Sequence, residues 1–525
     1  MPVEEMARES HFSRLLDRIP LLSKRTICLL AVCLALYAFV RSLVAAAHKP
    51  FWFDELLTQT ISMQPSVQGI WDALRHAVDG QGPLFYLLER AASKLIHNRE
   101  VALRLPTTIA FACTLLCIFV YVKRRNGEVI AFLCMSTLLL TNAFHSYAVD
   151  ARAYSLVLAC MAFALVCYQR VSSIRWTVLL AITLALAESM HYYAVFAMAP
   201  FFLAEAFVLF RTHTFRWKVC AALAFGVLPL AVFWPLLAGM KAYYGPHLWK
   251  NYRLSSIPVN YGSFFFVGSA FGVSVIVLSM AGIVVALLRQ QSGSESGEQQ
   301  DGMQPTEGVL LLTLMASPVI IFIATSVLGG SMVERYTLSA ILGIILAIGW
   351  ALSLARRSVL LLFSLCLFSS VALHEFSFWS STWRHPFRLN SPAADAESFV
   401  KDAGHHEIPV AVSDGIAYLP LAYYASPSFA DRFVYLADPD KSVVYLGYDS
   451  VDRGLLAVRD FAPFQVKDYS NFIASHPIFF VLVEEPGNGF DWVMRDLSEK
   501  ASLRLVETKN NRRLYLVDLS MGVSR

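Results

Sequence analysis

Charge is scarce in this chain. Only 16% of its 525 residues are Asp, Glu, Lys or Arg, against roughly a quarter in ordinary soluble domains. That scarcity, with 56% hydrophobic residues and a mean hydropathy of +0.53, excludes a soluble globular protein. The last 150 residues lack cysteine, and all nine cysteines fall inside apolar runs, which argues against a disulfide framework or a thiolate metal site. No GxGxxG opens a βαβ unit, so a dinucleotide-binding module is not expected. The N-terminal segment "MPVEEMARESHFSRLLDRIPLLSKR" is too long and too mixed for the start of a signal peptide, and no A-x-A-like cleavage site follows in a convincing position, so the first apolar run is expected to be a retained helix. No internal repeat is evident, and the net charge of +4 is too small to point to a polyanionic partner.

What is present is a series of apolar runs long enough to cross a bilayer core: 24–47, 101–122, 127–145, 153–169, 174–190, 192–210, 217–238, 263–288, 308–328, 336–355 and 358–374. They predict a polytopic α-helical membrane protein with about 11 transmembrane helices. A shorter stretch, 83–97, carries Glu89, Arg90 and Lys94 and reads either as a further span or as an interfacial helix. If it lies flat, the basic loops 10–25, 123–127, 168–175, 211–218 and 355–358 all fall on one side, which the positive-inside rule makes the cytoplasm. On that reading residues 1–23 are a cytoplasmic N-terminal segment and 24–374 the membrane domain, with one large outer loop at 48–100. The polar segment 289–307 is then a flexible cytoplasmic linker. From 375 the composition changes. Short β-like runs at 408–413, 432–437, 477–484 and 512–519, with helical stretches at 394–403 and 491–500, predict a small extracytoplasmic α/β domain over 375–525.

On this topology the polar residues near helix ends gather on the outer face, and each ionisable one is a functional candidate. "FWFDE" at 51–55 places Asp54 and Glu55 after an aromatic cluster. The pair fits a general base or a cation ligand, and equally an acidic first turn favoured by the helix dipole. Asp150 and Arg152 in "AVDARAYSL" sit between two predicted helices, as a site or as a local ion pair. Arg335 and Tyr336 in "ERYTLSA" fit a phosphate clamp or an interfacial anchor. Glu188 and His191, three apart, would share one helical face, lining a cavity or forming half of a metal site. The loop 239–262 mixes Lys241, His247, Lys250 and Arg253 with five aromatics, a composition suited to an anionic lipid headgroup or to simple snorkelling. Nucleic acid is excluded by location. Two acids, several arginines and a basic aromatic loop on one membrane face suit group transfer from a phosphate leaving group.

In their order, "FWFDE" 51–55, "GQGPLFYLLERAASKLIHNREVALRLPT" 80–107, "AVDARAYSL" 148–156 and "ERYTLSA" 334–340 resemble the bacterial branch of the GT-C glycosyltransferases. That branch includes the dolichyl-phosphate-mannose–protein mannosyltransferases, the aminoarabinose transferases of lipid A and related lipopolysaccharide transferases. The resemblance spans 24–374. It implies a GT-C fold and inverting sugar transfer from a polyprenyl-phosphate donor to a cell-envelope lipid, glycan or protein. It implies Asp54 as catalytic base, with Glu55 and Asp150 as companion acids. It implies Arg104, Arg335 and Tyr336 near the donor phosphate or lipid, with Lys250 and Arg253 assisting, and His191, Tyr192, Arg152 and Tyr154 lining the cavity. No cofactor is required, although Asp54 and Asp150 could hold a divalent cation. The implied place is the bacterial inner membrane. Two departures stand out: Gly82 where the family has a first proline before the Leu-Tyr-Tyr run, and Ala153 where it has "ARPY". Two other classes compete. A lipid-linked sugar transporter would want paired repeats and charges at helix midpoints. A membrane-anchored binding protein acting through 375–525 would leave the acids of the outer face unexplained.

Overall fold

The computed structural model describes residues 22–250, 253–265, 304–384, 391–404, 407–484, 491–509 and 511–520. Of the eleven apolar runs, ten fall on these residues and each is helical, as their composition requires. The eleventh, 263–288, and 289–303 of the expected linker lie outside them, apart from Ser263–Phe265 at the run's start. The linker also ends earlier than read from composition, because Pro305 opens the helix Pro305–Met315. Proline at a helix start costs nothing, since its missing N–H would be unsatisfied there anyway. By length and composition four described helices can cross a membrane: Lys24–His48, Arg99–Leu140, Ala194–Thr212 and Arg357–Arg384. The number rises to six if each of two bent pairs is one span.

The chain divides into two compact units. The first is Met1–Val44, Leu105–Leu230 and Asn251–Pro386. Its core is an apolar cluster running from Ile27 and Ala31 through Phe111, Leu115, Leu165 and Phe201 to Leu314 and Ile345. Two glycines shape it. Gly127, at φ +81°, breaks the long helix Arg99–Thr137 within the basic loop and separates two expected spans. Gly343 lets the helix Ser339–Ser353 press against Pro305–Met315, since an added Cβ would lie 2.8 Å from both the Leu314 Cβ and the Met315 backbone nitrogen. The last long helix runs to Arg384, ten residues past the expected end of the membrane domain. Its most apolar stretch is only 11% buried, as a lipid-facing helix should be. It is tied to the bundle at one polar point. Arg41 Nε lies 3.4 Å from Glu375 Oε2, Tyr37 OH donates to the same carboxylate, and the guanidinium stacks 3.8 Å over the Phe378 ring.

The second unit is Ala45–Arg104, Ala231–Lys250 and Phe387–Arg525. Its sheet has the order β3-β2-β1-β4-β6-β5, with β1 Val410–Val412, β2 Phe433–Ala437, β3 Val466–Asp468, β4 Ile478–Glu484, β5 Ser502–Lys509 and β6 Arg512–Asp518. The first four strands are parallel and fully apolar in β1 and β2, as strands covered on both faces must be. β6 pairs antiparallel with β4 and β5. The sequence located β1, β2, β4 and β6. It missed β3, only three residues long with two of them exposed, and β5, which is largely polar at the sheet edge.

The segment expected as an outer loop packs into this second unit as three short helices, Phe53–Ser62, Val67–Arg75 and Pro83–Ser93. None is long enough to span, so 83–97 is not a twelfth membrane helix. Side chains from the rest of the unit reach into it, Tyr424 from the α/β part and Tyr244 from the helix Trp234–Tyr244. Tyr424 OH accepts from the Phe51 N–H at 2.9 Å and donates to Glu100 at 3.0 Å. Tyr244 OH donates to the Ala77 carbonyl at 2.9 Å.

Candidate functional site

The Asp54 helix, Phe53–Ser62, begins in its first turn with both acids of the motif. They part company there. Glu55 is fully buried and Asp54 half-buried. Glu55 Oε2 accepts the Trp52 N–H at 3.2 Å, closing the helix start, and the same carboxylate meets Arg104 side-on. Arg104 Nε donates to Glu55 Oε1 at 2.7 Å and Nη2 to Oε2 at 2.5 Å. Its other bonds go to the carbonyls of Ala46 (2.8 Å), Lys49 (2.5 Å) and Pro50 (3.0 Å). Phe51 covers the guanidinium at 4.9 Å.

Arg104, expected near the donor phosphate or lipid, is fully buried and makes five hydrogen bonds to Glu55 and to backbone carbonyls. Glu55, expected as a companion acid, is bound to Arg104 in a bidentate pair. Together they knot the chain 46–55 so that Asp54 is presented at a fixed point.

A third acid accompanies this knot. Glu89, in the middle of Pro83–Ser93, is fully buried, and neither of its oxygens has a hydrogen-bond partner among the described residues. Burial pushes its carboxyl well above the usual carboxylate range, and the Glu55 charge adds to the effect. Burial thus favours the uncharged form of this carboxyl. Its sequence signal was a lone acid among apolar neighbours in "PLFYLLERAA".

In the first unit, Asp150 follows a short 3₁₀ turn, and the Arg152 N–H donates to its carbonyl at 2.7 Å. Asp150 and Arg152 are both buried. The helix Tyr154–Tyr168 then starts after Ala153, at φ −65°. That is the value a proline ring imposes, so alanine here holds the backbone angle a proline would. Gly82 does the same at φ −72° and ψ 150°, ahead of Pro83.

His191 does not share a helical face with Glu188. The helix Ile174–Met190 ends one residue earlier, and His191 is extended at φ −156° and ψ 122°. Its Nδ1 accepts the Tyr193 N–H at 3.1 Å, which turns the imidazole towards Tyr154 (5.5 Å between centroids) and Tyr336 (5.5 Å). Tyr193 stacks on Tyr336 at 4.0 Å. Arg335 lies 5.8 Å from the Tyr154 ring and 5.7 Å from that of Tyr336. Tyr154, His191, Tyr193, Arg335 and Tyr336 enclose a cavity of about 30 Å³, room for one or two waters. Tyr193 lines this cavity, while Tyr192 and Arg152 are buried outside its lining. Glu334 beside it accepts from Asn142 at 3.1 Å, and burial holds its carboxyl above the usual range. Lys250 and Arg253 are exposed. Among the described residues no group of three or more His, Cys, Asp or Glu gathers in a metal-binding arrangement.

Residues 80–238 match the family model described as dolichyl-phosphate-mannose–protein mannosyltransferase. No match was found among curated proteins by sequence. Among solved structures, ArnT from Cupriavidus metallidurans in the apo state aligns with a TM-score of 0.55 at 14% identity, over 95% of this chain and 99% of that one. ArnT bound to undecaprenyl phosphate aligns at 0.51, with the same identity and coverage. The oligosaccharyltransferase of Archaeoglobus fulgidus, in a complex with Zn and sulfate, aligns at 0.42 and 11% identity, over 86% of this chain and 68% of that one. The expectation drawn from four short motifs stands at the level of architecture: the chain has a fold like that of ArnT, with several apolar helices and a small C-terminal sheet region.

Proposed function

We propose that this protein is a membrane glycosyltransferase that moves a sugar from a polyprenyl-phosphate carrier to a hydroxyl or amine of a cell-envelope acceptor, with inversion. The observation that carries the reading is the division of labour in the acidic pair. Glu55 is consumed by Arg104, while Asp54 stands half-buried in the first turn of its helix on a chain segment held by five hydrogen bonds. The likeness to ArnT, one structure of which holds undecaprenyl phosphate, and the mannosyltransferase match over 80–238 support the donor class.

In this mechanism Asp54 takes the proton of the acceptor as its oxygen or nitrogen bonds to the anomeric carbon. The bond from that carbon to the phosphate oxygen breaks on the opposite face, and the polyprenyl phosphate leaves carrying the electron pair. Arg335 stabilises that developing charge, with Tyr336 and Tyr193 fixing the plane of its guanidinium, and Lys250 and Arg253 add positive potential. Asp150 is a companion acid. The protein sits in the bacterial inner membrane with its N-terminus cytoplasmic and the α/β domain that follows the helix Arg357–Arg384 periplasmic. A lipid carrier explains such a site: the tail stays in the bilayer while the phosphate meets cations at the interface.

The test is Asp54→Asn in purified membranes, assayed with a panel of polyprenyl-phosphate sugars and envelope acceptors. Loss of a general base lowers transfer by about 10²–10⁴-fold, with expression and melting temperature unchanged. Near-normal transfer by this variant overturns the assignment.

A further inference from the structure

A second polar cavity lies in the first unit, among the basic loops and unrelated to the residues above. Its volume is about 520 Å³, within the range of small-molecule sites. Each of three basic loops contributes to it: Arg125 from "KRRNG", Tyr168, Gln169 and Ser172 from "YQRVSSIR", and Arg216 to Lys218 from "RTHTFRWK". The fourth wall is Gln304 to Glu307, at the start of Pro305–Met315.

The charges in this wall are almost balanced. Arg125 donates to Glu307 through Nε (3.1 Å) and Nη2 (2.7 Å). Arg216 binds Glu205 through Nε at 2.9 Å, and its Nη2 reaches Tyr168 OH at 2.9 Å. Each guanidinium keeps an Nη1 with no partner among the described residues. Lys218 has no ion pair among them at all. Three cations against two carboxylates leave one positive charge. Gln169 adds a second unmet demand: its Nε2 donates to the Tyr121 carbonyl at 3.3 Å, while its Oε1 is buried with no partner among the described residues. A buried acceptor without a donor is costly, and a ligand carrying a hydroxyl or amine relieves it.

The ligand that fits is a singly charged phosphodiester with a donor group a few bonds away. The surroundings say where it comes from. Phe210, Phe215 and Trp217 are 81%, 63% and 63% exposed around the loop, an arrangement that suits acyl chains and headgroups rather than water. Tyr168 ends one apolar helix and Trp217 begins another, so the cavity opens at the level of the membrane interface. Basic pockets between membrane helices on the positively flanked side are the usual places for anionic headgroups. We propose that this cavity is a binding site for the headgroup of an anionic phospholipid of the phosphatidylglycerol type. The phosphodiester lies on Lys218 and the free Nη1 edges of Arg125 and Arg216, and the headgroup hydroxyl donates to Gln169 Oε1.

The site is tested on the full-length protein in detergent by native mass spectrometry, titrated with phosphatidylglycerol, phosphatidylcholine, undecaprenyl phosphate and soluble glycerophosphate. Lys218→Gln removes the uncompensated charge, and Ser172→Trp fills the cavity with no change of charge; both positions are exposed or half-exposed, and melting curves confirm folding. The wild-type protein retains phosphatidylglycerol over phosphatidylcholine. Lys218→Gln lowers that retention about fivefold, the contribution of one basic residue at an anionic lipid surface, and Ser172→Trp lowers it at least as much. Retention unchanged in both variants places the lipid elsewhere and overturns the proposal. Competition by glycerophosphate at equal concentration makes the ligand a soluble phosphate, and preference for undecaprenyl phosphate makes it a dianion; either result also overturns it.

Discussion

Replacing Arg104 by alanine separates an anchor from a ligand-binding arginine. The guanidinium is fully buried and holds Glu55 in two bonds and three backbone carbonyls in three more. Removing one partner of a buried ion pair costs about 3–5 kcal/mol, because the remaining charge is left uncompensated. Carbonyls stranded without a donor cost about 1–3 kcal/mol each, less wherever water enters the cavity left behind. A loss of about 5 kcal/mol is thus the working figure, and at 2–4 °C per kcal/mol for a domain of this size it lowers the melting temperature by roughly 10–20 °C. Arg104→Lys recovers little, since an ammonium cannot reproduce the side-on pair with Glu55. Glu55→Leu combined with Arg104→Leu loses less than the sum of the two single changes, because neither leaves a lone charge. The assay is tryptophan fluorescence during thermal unfolding, run beside transfer kinetics on the folded fraction. If Arg104→Ala melts like the wild type and only raises the KM for the lipid donor, the anchor reasoning is wrong and Arg104 binds donor after all.

Tyr193→Leu removes the ring stacked on Tyr336 and raises the donor KM about three- to tenfold, the worth of an aromatic pair, whereas Tyr192→Leu leaves it near the wild-type value; equal effects contradict the placement of the cavity. Burial holds the Asp452 carboxyl at about 6, above its ordinary 3.8. The folded chain therefore carries more protons than the unfolded one between these values, and this group's contribution, present below pH 4, is lost as the pH rises through 6. Asp496 runs the other way. Burial alone would raise it, but Lys441, Lys500 and Tyr469 hold it at about 2, so its contribution is present above pH 4 and is lost as the pH falls towards 2. Asp452→Asn flattens the melting temperature between pH 4 and 6; an unaltered slope shows that another group titrates there. A reporter active only outside the cytoplasm, fused after Ser391, is active in the proposed orientation, and a silent fusion that is active with a cytoplasmic reporter inverts it.

Much of the architecture is written locally. A run of twenty apolar residues has no stable form in a bilayer except a helix, so 24–47 or 192–210 needs no tertiary information to be placed. β1, β2 and β4 are legible for a similar reason, as short β-branched and aromatic runs between turn residues. β3 and β5 are not, because an edge strand with polar faces leaves no periodic trace. The acids and arginines of the site were legible as residue types at helix ends, but their roles were not. The motif gives Asp54 and Glu55 equal standing. What marks out Glu55 is that residue 104, some fifty positions away, returns to pair with its fully buried carboxylate.

The sequence by itself determined that this chain is a many-helix membrane protein with a small α/β domain, because hydropathy, helix length and the alternation of short strands with helices act over a few residues at a time. The pairing of Arg104 with Glu55, the burial of Glu89, the stacking of Tyr193 on Tyr336 and the convergence of the basic loops on a cavity come from packing alone. Each of those facts depends on burial and on partners far apart in the chain. Desolvation and hydrogen-bond saturation, which set a charged group's role, are properties of the packed molecule and leave no mark on the order of its residues.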